Sequence, residues 1–468
     1  MCMNSTKIDS IIQRKLEKVL IQYPRVKDIV KAIDTKNGRT LLVGGAVRDL
    51  LLDLPIKDLD IEVHGVALKD LEALLSVFGT VSLIGKAFGV LRIHGLDIDW
   101  SLPRIDTAGR KPIVEIDPYM GITQAFRRRD LTINAMGIDL KTCELLDPFN
   151  GQKDLMNNIL RATDLYFFVD DPLRLFRVMQ FIGRFEMQVD DQLNALCRSM
   201  DISAVSTERI EMEFEKLFLK SKRPSLGIRW LKEIGRLKGI LPELAKTVGV
   251  PQEPRWHPEG DVFEHSMQSL DAAAALEYET DWEKLVVIYA AMCHDIGKTE
   301  TTKTIDGIIR SLGHEDAGYR LSQCMLERIT HNKELVDAVP KLVKYHMQPS
   351  QFISANATSA AYKRLANKLA PYATLFMLAK LKIADRRGRN PKNSEPLAHD
   401  DEDIAKFIQK SRELNVLDQV EAPVLQGRDL LDVIEPGPYM GNILKRAYDI
   451  QLEEGIKDKE ELKKRVLE

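Results

Sequence analysis

The sequence has little of what marks secreted, membrane-spanning or low-complexity proteins. Its 468 residues include only five cysteines, which are scattered and form no CxxC pair. Reduced thiols are therefore expected in place of a disulfide framework. No run of about 18 apolar residues is present, and the first ten residues lack the apolar core of a secretory signal. These absences predict a cytoplasmic protein without a membrane partner.

A strong charge of either sign is also missing. The formal net charge is −3 and the isoelectric point is about 6.4, which argues mildly against nucleic-acid binding by the whole surface. Local charge differs from the total, because residues 127–129 are three consecutive arginines and residues 216–236 are rich in lysine and arginine. One basic face is enough to bind a polyanion.

Length and pattern predict several domains in an α+β chain. Hydrophobic residues make up 44% and charged residues 29%, which is ample core material for two to four domains. Strand and helix signals alternate over residues 39–150, and the pattern is helical from about residue 154. The segment 250–260 is dense in proline and is interpreted as a linker. The predicted parts are a helical lead-in (1–38), an α/β head (39–153), a helical neck (154–222), a helical body with the linker (223–257), a helical domain (258–390) and a helical tail (391–468).

A glycine turn opens the first candidate site. Residues 44–49 read Gly-Gly-Ala-Val-Arg-Asp and join a short apolar strand to a helix. Gly44 and Gly45 let the backbone approach a phosphate, and Arg48 on the first turn can reach a triphosphate, with Asp49 beside it. Taken alone, two glycines at such a turn are more often present for steric reasons than for phosphate binding.

The next strand carries a pair of carboxylates. Asp58 and Asp60 lie two residues apart, so a strand places them on one face. Adjacent carboxylates repel unless a cation lies between them, which predicts a Mg²⁺ site of the kind that phosphoryl transfer uses. Asp99, on a later strand, could complete the site. Asp97 has the same parity and stays a rival.

These two motifs resemble those of polymerase-β-type nucleotidyltransferases, and more narrowly the family of class II tRNA nucleotidyltransferases and bacterial poly(A) polymerases. Three further stretches match the family in order: residues 128–135 (Arg-Arg-Asp-Leu-Thr-Ile-Asn-Ala), residues 170–174 (Asp-Asp-Pro-Leu-Arg) continuing to Arg177, and residues 206–213. The resemblance covers about residues 39–245. It implies a polymerase-β-like α/β head followed by all-α domains, and template-independent addition of the 3′ CCA end of tRNA from CTP and ATP.

The resemblance also implies roles for residues. The second motif contacts ribose and triphosphate, here through Arg128, Arg129, Asp130 and Asn134. In the same family a flexible loop helps the switch from C to A addition, and the stretch between residues 104 and 124 stands in its place.

The third motif is the one that reads the incoming base in the family, here through Asp171, Arg174 and Arg177. The spacing of Asp171 and Arg174 predicts a shared helix face. A carboxylate that accepts from an exocyclic amine, beside a guanidinium that donates to a ring nitrogen, suits cytosine and adenine and rejects guanine and uracil. Asp170 stands where the family often has glutamate, which leaves the role of that position open.

A second constellation resembles the HD phosphohydrolase superfamily. His265, His294, Asp295 and Asp385 follow its His…His-Asp…Asp order. Imidazole with carboxylate suits a transition metal such as Mn, Co, Ni or Fe better than Mg²⁺. The remaining candidates are His314 and His346, which stand where some HD proteins hold a second metal, and Lys298 as a phosphate contact. The resemblance implies hydrolysis of phosphate esters, including 2′,3′-cyclic phosphates.

Three alternatives stay open. A poly(A) polymerase shares the head motifs, but bacterial members generally carry basic extensions and no HD domain. An enzyme that adds only CC or only A is compatible with every motif. An HD phosphohydrolase with a degenerate RNA-binding head is opposed by four intact residues, namely Asp58, Asp60, Arg128 and Arg174. The sequence predicts no oligomeric state.

Overall fold

The computed structural model describes residues 5–56, 58–84, 89–106, 114–398 and 401–468, with Ser5 and Thr6 described by their backbone only. No helix in these ranges is long and apolar enough to cross a membrane. The chain divides into two compact units, residues 1–206 and 207–468. The α+β class predicted from the sequence is confirmed.

The first unit contains most of the strands. Its described strands are β1 (Ser5–Lys7), β2 (Arg39–Val43), β3 (Leu59–His64), β4 (Val81–Ile84), β5 (Val90–Ile93), β6 (Ile98–Ser101), β7 (Arg104–Asp106), β8 (Val114–Ile116), β9 (Gly137–Asp139), β10 (Glu144–Leu146), β11 (Ile159–Leu160) and β12 (Gln188–Val189). Its described helices are α1 (Ser10–Ile21), α2 (Pro24–Asp34), α3 (Gly45–Leu51), α4 (Leu68–Ser76), α5 (Ile122–Arg127), α6 (Gly151–Met156), α7 (Leu165–Phe168), α8 (Arg174–Phe185), α9 (Asp191–Ser199) and a 3₁₀ turn (Thr132–Asn134).

One mixed sheet forms the core of the first unit. In the described residues its eight strands are ordered β1-β10-β9-β2-β3-β6-β5-β4. The central pair, β2 and β3, is antiparallel, whereas β3 and β6 run parallel. Strand β3 buries Leu59, Ile61 and Val63, so its alternate residues point to the opposite face. That face carries the candidate acidic residues to the middle of the sheet.

Two parts of the head differ from the sequence expectation. The lead-in is not purely helical, because β1 pairs antiparallel with β10 and extends the sheet. The stretch between residues 104 and 124 is not all loop, because β7 and β8 form an antiparallel pair. Residues 107–113, which would join these strands, lie outside the described residues. Short strands lacking a clear alternation carry too little pattern for a sequence to show.

Helix α8 buries a broad apolar face. Leu175, Phe176, Val178, Met179 and Ile182 are all buried. In the described residues after 154, strands are limited to the two-residue β11 and β12, which pair in parallel, and to one hairpin in the second unit. The expectation of an all-helical chain is wrong at these strands.

The second unit is almost wholly helical. Its described elements are α10 (Thr207–Lys220), α11 (Ser225–Glu233), α12 (Leu237–Ile240), α13 (Pro242–Ala245), α14 (Val262–Ala274), α15 (Asp281–Cys293), α16 (Lys298–Thr301), β13 (Lys303–Ile305), β14 (Ile308–Arg310), α17 (His314–Ile329), α18 (Lys333–Tyr345), α19 (Gln348–Ser354), α20 (Ser359–Leu369), α21 (Leu375–Arg387), α22 (Glu402–Glu413), a 3₁₀ turn (Gly427–Asp429), α23 (Pro438–Glu454) and α24 (Lys459–Leu467).

Five of these helices position the second candidate site, namely α14, α15, α17, α18 and α21. Helix α14 packs against α15 and α21, and α15 packs against α18. Side-chain caps fix where they begin: Asp261 accepts from the Glu264 amide, and Thr280 accepts from the Glu283 amide, which satisfies amides that a helix leaves unpaired. The buried faces of these helices bring polar residues from distant parts of the sequence into one core.

Candidate functional site

The glycine turn after β2 is required by both backbone and packing. Gly44 has a φ of 70°, a conformation that glycine adopts at little cost. A Cβ at Gly44 would also lie 2.8 Å from Nη1 of Arg129. The turn thus leaves space for an arginine from the second motif, which any side chain at residue 44 would displace.

The acidic face of β3 meets a second carboxylate on β6. Asp60 and Asp99 are register partners in the parallel pair, and Asp58 precedes the strand with the same parity as Asp60. Loss of part of its water shell and the carboxylates of Asp99 and Asp58 raise the pKa of Asp60, which Arg129 opposes. This register favours Asp99 over Asp97, whose side chain lies outside β6 and is 73% exposed. A divalent cation would relieve the repulsion among these carboxylates.

Arg92 on β5 is a neighbour that the sequence motifs do not indicate. Its Nη2 lies 2.6 Å from Oδ1 of Asp99, and β5 pairs with β6 at this position. The guanidinium therefore holds the Asp99 carboxylate at the site. A cation bound to Asp99 would share this carboxylate with Arg92.

Glu62 is a second residue missed by sequence reasoning. Its carboxylate is fully buried, 3.0 Å from Nε2 of His64, and within 3.6 Å of Arg128 and 3.4 Å of Arg129. Although burial raises the pKa of Glu62, the hydrogen bond with His64 and the two arginines lower it to about 2. Glu62 therefore stays charged and anchors the arginines beside the glycine turn.

Replacing Glu62 with glutamine tests this anchor. Since the folded pKa is about 2 and the ordinary value is 4.5, the charged group adds about 3 kcal/mol of stability above pH 4.5. That contribution is lost as the pH falls through about 2. We expect urea unfolding to show a deficit in the variant at pH 7 that narrows at pH 3, with nucleotide addition slowed at pH 7. A deficit that does not change with pH would contradict the assignment.

Asp130 links the second motif to helix α8. It is buried and accepts from Nε of Arg177 at 2.6 Å and from Nδ2 of Asn134 at 3.0 Å. Burial raises the pKa of Asp130, but Arg177 and Asn134 lower it to about 2. This network therefore joins the predicted ribose-triphosphate and base-reading motifs.

Arg48 extends the same network to the glycine turn. Its guanidinium donates to Oδ1 of Asn134 at 2.6 Å and to Asp49 at 2.8 Å, and stacks on the rings of Phe181 and Phe185. The Arg48 side chain is only 6% exposed, so these contacts give it a structural role. Its contact with a triphosphate stays a prediction.

The base-reading pair is arranged differently from the prediction. Asp171 does not share a helix face with Arg174, because α8 begins at Arg174 and Asp171 precedes it. Oδ1 of Asp171 accepts from the Leu173 amide at 3.2 Å, which explains this helix boundary. Arg174 donates to the carbonyl oxygen of Arg128 at 2.5 Å and to that of Phe167. Arg174 is therefore held against the backbone of the second motif, whereas Asp171 contacts the backbone of its own turn.

The predicted HD ligands meet in the core of the second unit. His265 (α14), His294 and Asp295 (after α15) and Asp385 (α21) are each at most 2% exposed. Nε2 of His265 lies 3.1 Å from Nε2 of His294 and 3.3 Å from Oδ1 of Asp385, and Nε2 of His294 lies 3.4 Å from Oδ2 of Asp295. Ligands about 2.1 Å from one metal are about 3.0–3.4 Å apart. These side chains therefore fit a metal ion.

A second group shares one carboxylate with the first. Nε2 of His314 lies 3.3 Å from Nε2 of His346 and 3.4 Å from Oδ1 of Asp295. Because Oδ2 of Asp295 faces the first group and Oδ1 faces the second, this carboxylate can bridge two ions. Among the described residues, every group of at least three ligand atoms within 4.8 Å of one another lies in the second unit, so Asp58, Asp60 and Asp99 are less closely gathered.

Backbone carbonyls fix the orientation of these histidines. The Nδ1 atoms of His294, His314 and His346 lie 2.9, 2.8 and 2.6 Å from the carbonyl oxygens of Ala291, Ser311 and Val343. An Nδ1–H that donates to a carbonyl leaves the Nε2 lone pair directed at the shared centre. This is the tautomer that a metal needs.

Cations surround the ligand carboxylates. Lys298 lies 2.6 Å from Asp295, and Lys382 lies 2.6 Å from Asp385. Burial raises the pKa of each aspartate, but these lysines and the neighbouring histidines hold both pKa values well below the usual range. Lys298, predicted as a phosphate contact, is thus paired with Asp295 and with Gln252, at 2.7 Å.

The segment 250–260 is more than the linker that its prolines predict. Oε1 of Glu259 lies 2.9 Å from Nδ1 of His257 and 2.7 Å from Nδ1 of His265. These separations are hydrogen-bond distances and are shorter than those between two ligands of one metal. Glu259 therefore orients His265 from behind the cluster. A proline- and glycine-rich loop that folds back onto a core gives no periodic signal, and a single histidine within it is ordinarily solvated.

Three family profiles match successive parts of the chain. "Poly A polymerase head domain" matches residues 40–161, "Probable RNA and SrmB- binding site of polymerase A" matches residues 187–247, and "HD domain" matches residues 262–380. Together with the carboxylate and imidazole groups described above, the head and HD matches imply the use of divalent metal ions.

Curated relatives and solved structures agree with these profiles. The chain is 32% identical to "Multifunctional CCA protein" of Mannheimia succiniciproducens over 82% of this chain and 92% of that protein, and 32% identical to that of Pasteurella multocida over 74% and 83%. Its fold is similar to a Thermotoga maritima CCA-adding enzyme complexed with tRNA (TM-score 0.59, 20% identity, 100% and 99% of the chains) and to a Bacillus stearothermophilus CCA-adding enzyme in complex with CTP (TM-score 0.62, 18% identity, 95% and 97%).

Proposed function

The chain belongs to the family of multifunctional CCA proteins, and we propose that it builds and repairs the 3′ CCA end of tRNA from CTP and ATP. The observation that carries this proposal is the register of Asp60 with Asp99, next to the glycine turn and the anchored Arg128 and Arg129. The second unit is proposed to hydrolyse phosphate esters at the HD cluster. A cytoplasmic location is part of the proposal.

The head supplies binding and charge to nucleotidyl transfer. Mg²⁺ held by Asp58, Asp60 and Asp99 would lower the energy of the developing phosphoryl charge and of the attacking 3′ oxygen. Arg128 and Arg129, fixed by Glu62, are placed to pair with triphosphate oxygens. The 3′ oxygen attacks the α-phosphorus, the bond to the β-phosphate oxygen breaks, and pyrophosphate leaves.

Incubating a tRNA that lacks its terminal CCA with CTP, with ATP, and with both separates the candidate activities. CCA addition gives two C residues with CTP alone and completion only with both nucleotides. A long A tract with ATP alone would indicate a poly(A) polymerase. Products that stop after CC, or a single A added only to a tRNA ending in CC, would identify a partial enzyme.

Base choice is proposed to rest on Asp171 and Arg174. Replacing Arg174 with alanine is expected to lower the selectivity for C and A over U and G by about 10–100-fold, because a bidentate base contact is worth about 1–3 kcal/mol. Incorporation of all four nucleotides under single-turnover conditions measures it. Arg184→Ala, on the same helix, is the control and should keep the selectivity. An equal loss of rate for all four nucleotides would make Arg174 purely structural.

The HD cluster is proposed to bind a transition metal such as Mn, Co, Ni or Fe, with His314 and His346 holding a second ion. The carbonyl-oriented imidazoles support this choice over Mg²⁺. When bound, such an ion lowers the pKa of its water and supplies a nucleophile. Water then breaks one ester bond of a 2′,3′-cyclic phosphate, and a second hydrolysis releases inorganic phosphate. The product is the free 3′ hydroxyl that nucleotide addition needs.

A further inference from the structure

A cavity opens beside the HD cluster. Its volume is about 330 Å³, and its lining includes His257, His314 and Lys298 together with Arg386 and the indole of Trp256. This volume is in the range of sites for small ligands. Lys298 lies 2.6 Å from Asp295, so the cavity reaches the metal-ligand groups at one end.

Trp256 is unusual among the tryptophans of the chain. It is 67% exposed, whereas Trp100 and Trp230 are buried and Trp282 is half-buried, with Nε1 donating to the Tyr372 carbonyl. An indole left in water beside this cavity retains a large apolar surface that a planar ligand could cover.

The segment that presents Trp256 is fastened at both ends. The Gly249 amide donates to Asp261 at 2.6 Å, and the Val262 amide donates to the Val250 carbonyl at 3.1 Å. Within the segment, Gln252 accepts from Lys298 at 2.7 Å. The Trp256 amide itself donates to the Glu253 carbonyl at 3.0 Å. The backbone that carries the indole is therefore fixed by the same loop that positions Glu259 behind His265.

The cavity combines two kinds of recognition. Lys298, paired with Asp295, and Arg386, paired with Asp401, line the cavity and offer donors for a phosphate near the metal ligands. Trp256 supplies a flat aromatic face. Nucleobases stack on such faces without regard to their sequence. A phosphate ester that has no ring would use only the first kind of contact.

We propose that Trp256 is the stacking surface for the nucleobase of the substrate whose phosphate ester the HD cluster hydrolyses. The site then selects nucleoside phosphates over phosphate esters without a ring. This inference rests on the proposed phosphohydrolase function and assigns the residue that recognises the base.

The test compares adenosine 2′-monophosphate with glycerol 2-phosphate in the full-length, metal-loaded protein. In Trp256→Ala the ratio of kcat/KM for the nucleotide over glycerol 2-phosphate should fall about tenfold or more, through KM. Trp256→Phe, which keeps a ring, should recover most of the ratio. Tyr439→Ala, an equally exposed aromatic of the tail at 67%, should leave it as in the wild type.

Intrinsic fluorescence gives a second readout without turnover. Adding adenosine 2′-monophosphate to the metal-free protein should quench tryptophan emission in the wild type and not in Trp256→Phe. An unchanged ratio in Trp256→Ala would overturn the stacking role. Absence of hydrolysis of both substrates by the wild type would instead refute the phosphohydrolase function.

Discussion

Replacing Asp60 with alanine should abolish nucleotide addition, lowering kcat/KM for both CTP and ATP by about 10³-fold or more. Metal ions contribute several kcal/mol to phosphoryl transfer, and each 1.36 kcal/mol is about tenfold in rate. Asp60 is the carboxylate at the centre of the group, because it is the register partner of Asp99 and shares its parity with Asp58. Burial, together with the neighbouring carboxylates of Asp99 and Asp58, raises the pKa of Asp60, and a bound cation would neutralise the negative charge gathered there.

The matched control for Asp60→Ala is Asp97→Ala. Asp97 lies two residues from Asp99 and differs in being 73% exposed and outside the strand. We expect Asp97→Ala to keep addition within about twofold of the wild type, since a solvated carboxylate contributes little. Single-turnover extension of a tRNA ending in CC measures both variants. If Asp60→Ala adds nucleotides at a rate within tenfold of the wild type, Asp60 is not a metal ligand. If Asp97→Ala loses nucleotide addition, Asp97 again becomes a candidate for the third carboxylate.

In the head, the sequence predicts which residues share a face wherever apolar and polar residues alternate along a strand. Leu59, Ile61 and Val63 alternate with Asp60 and Glu62. This alternation predicts that the acidic residues share the face opposite the apolar ones. The choice between Asp97 and Asp99 could not be read, because both have the same parity. Only the pairing of β3 with β6 distinguishes them, and residues distant in sequence set that register.

Buried charge was the main feature that the sequence could not show. Glu62 continues the polar face of β3, and nothing in the strand pattern separates it from an ordinary solvent-facing residue, yet its carboxylate is fully buried between His64 and the arginines. Burial of a carboxylate is tolerated only where opposite charges meet it. The arginines that do so lie more than 60 residues later, so no local pattern indicates the pairing.

The predictions for the loop at residues 250–260 and for the start of helix α8 were wrong for a related reason. Prolines and glycines around His257 and Glu259 predict an exposed connection, but the loop folds back and Glu259 is buried against His265. Spacing alone placed Asp171 on a helix, whereas its own side chain accepts from the Leu173 amide and the helix begins at Arg174.

The double variant His294→Ala/Asp295→Ala should lose phosphohydrolase activity and keep CCA addition. His294 belongs to the first ligand group, and Asp295 faces both groups through its two oxygens. The variant therefore lacks ligands in each group. We expect hydrolysis of bis-p-nitrophenyl phosphate and of a 2′,3′-cyclic nucleotide to fall by about 10³-fold or more with Mn²⁺, Co²⁺ or Ni²⁺, since a metal-generated nucleophile supplies several kcal/mol.

The control for this variant is His331→Ala, which removes a histidine that is 62% exposed and paired with Glu208 away from the cluster. It should bind metal and hydrolyse both substrates as the wild type does. The double variant should still extend a tRNA with a clean 3′ hydroxyl, because the carboxylates and arginines of the head all belong to the first compact unit. It should fail on a tRNA that ends in a 2′,3′-cyclic phosphate, which the wild type first hydrolyses and then extends. Equal extension of both tRNAs by the double variant, or no hydrolysis by the wild type with any divalent metal, would make the HD cluster a structural core without chemistry.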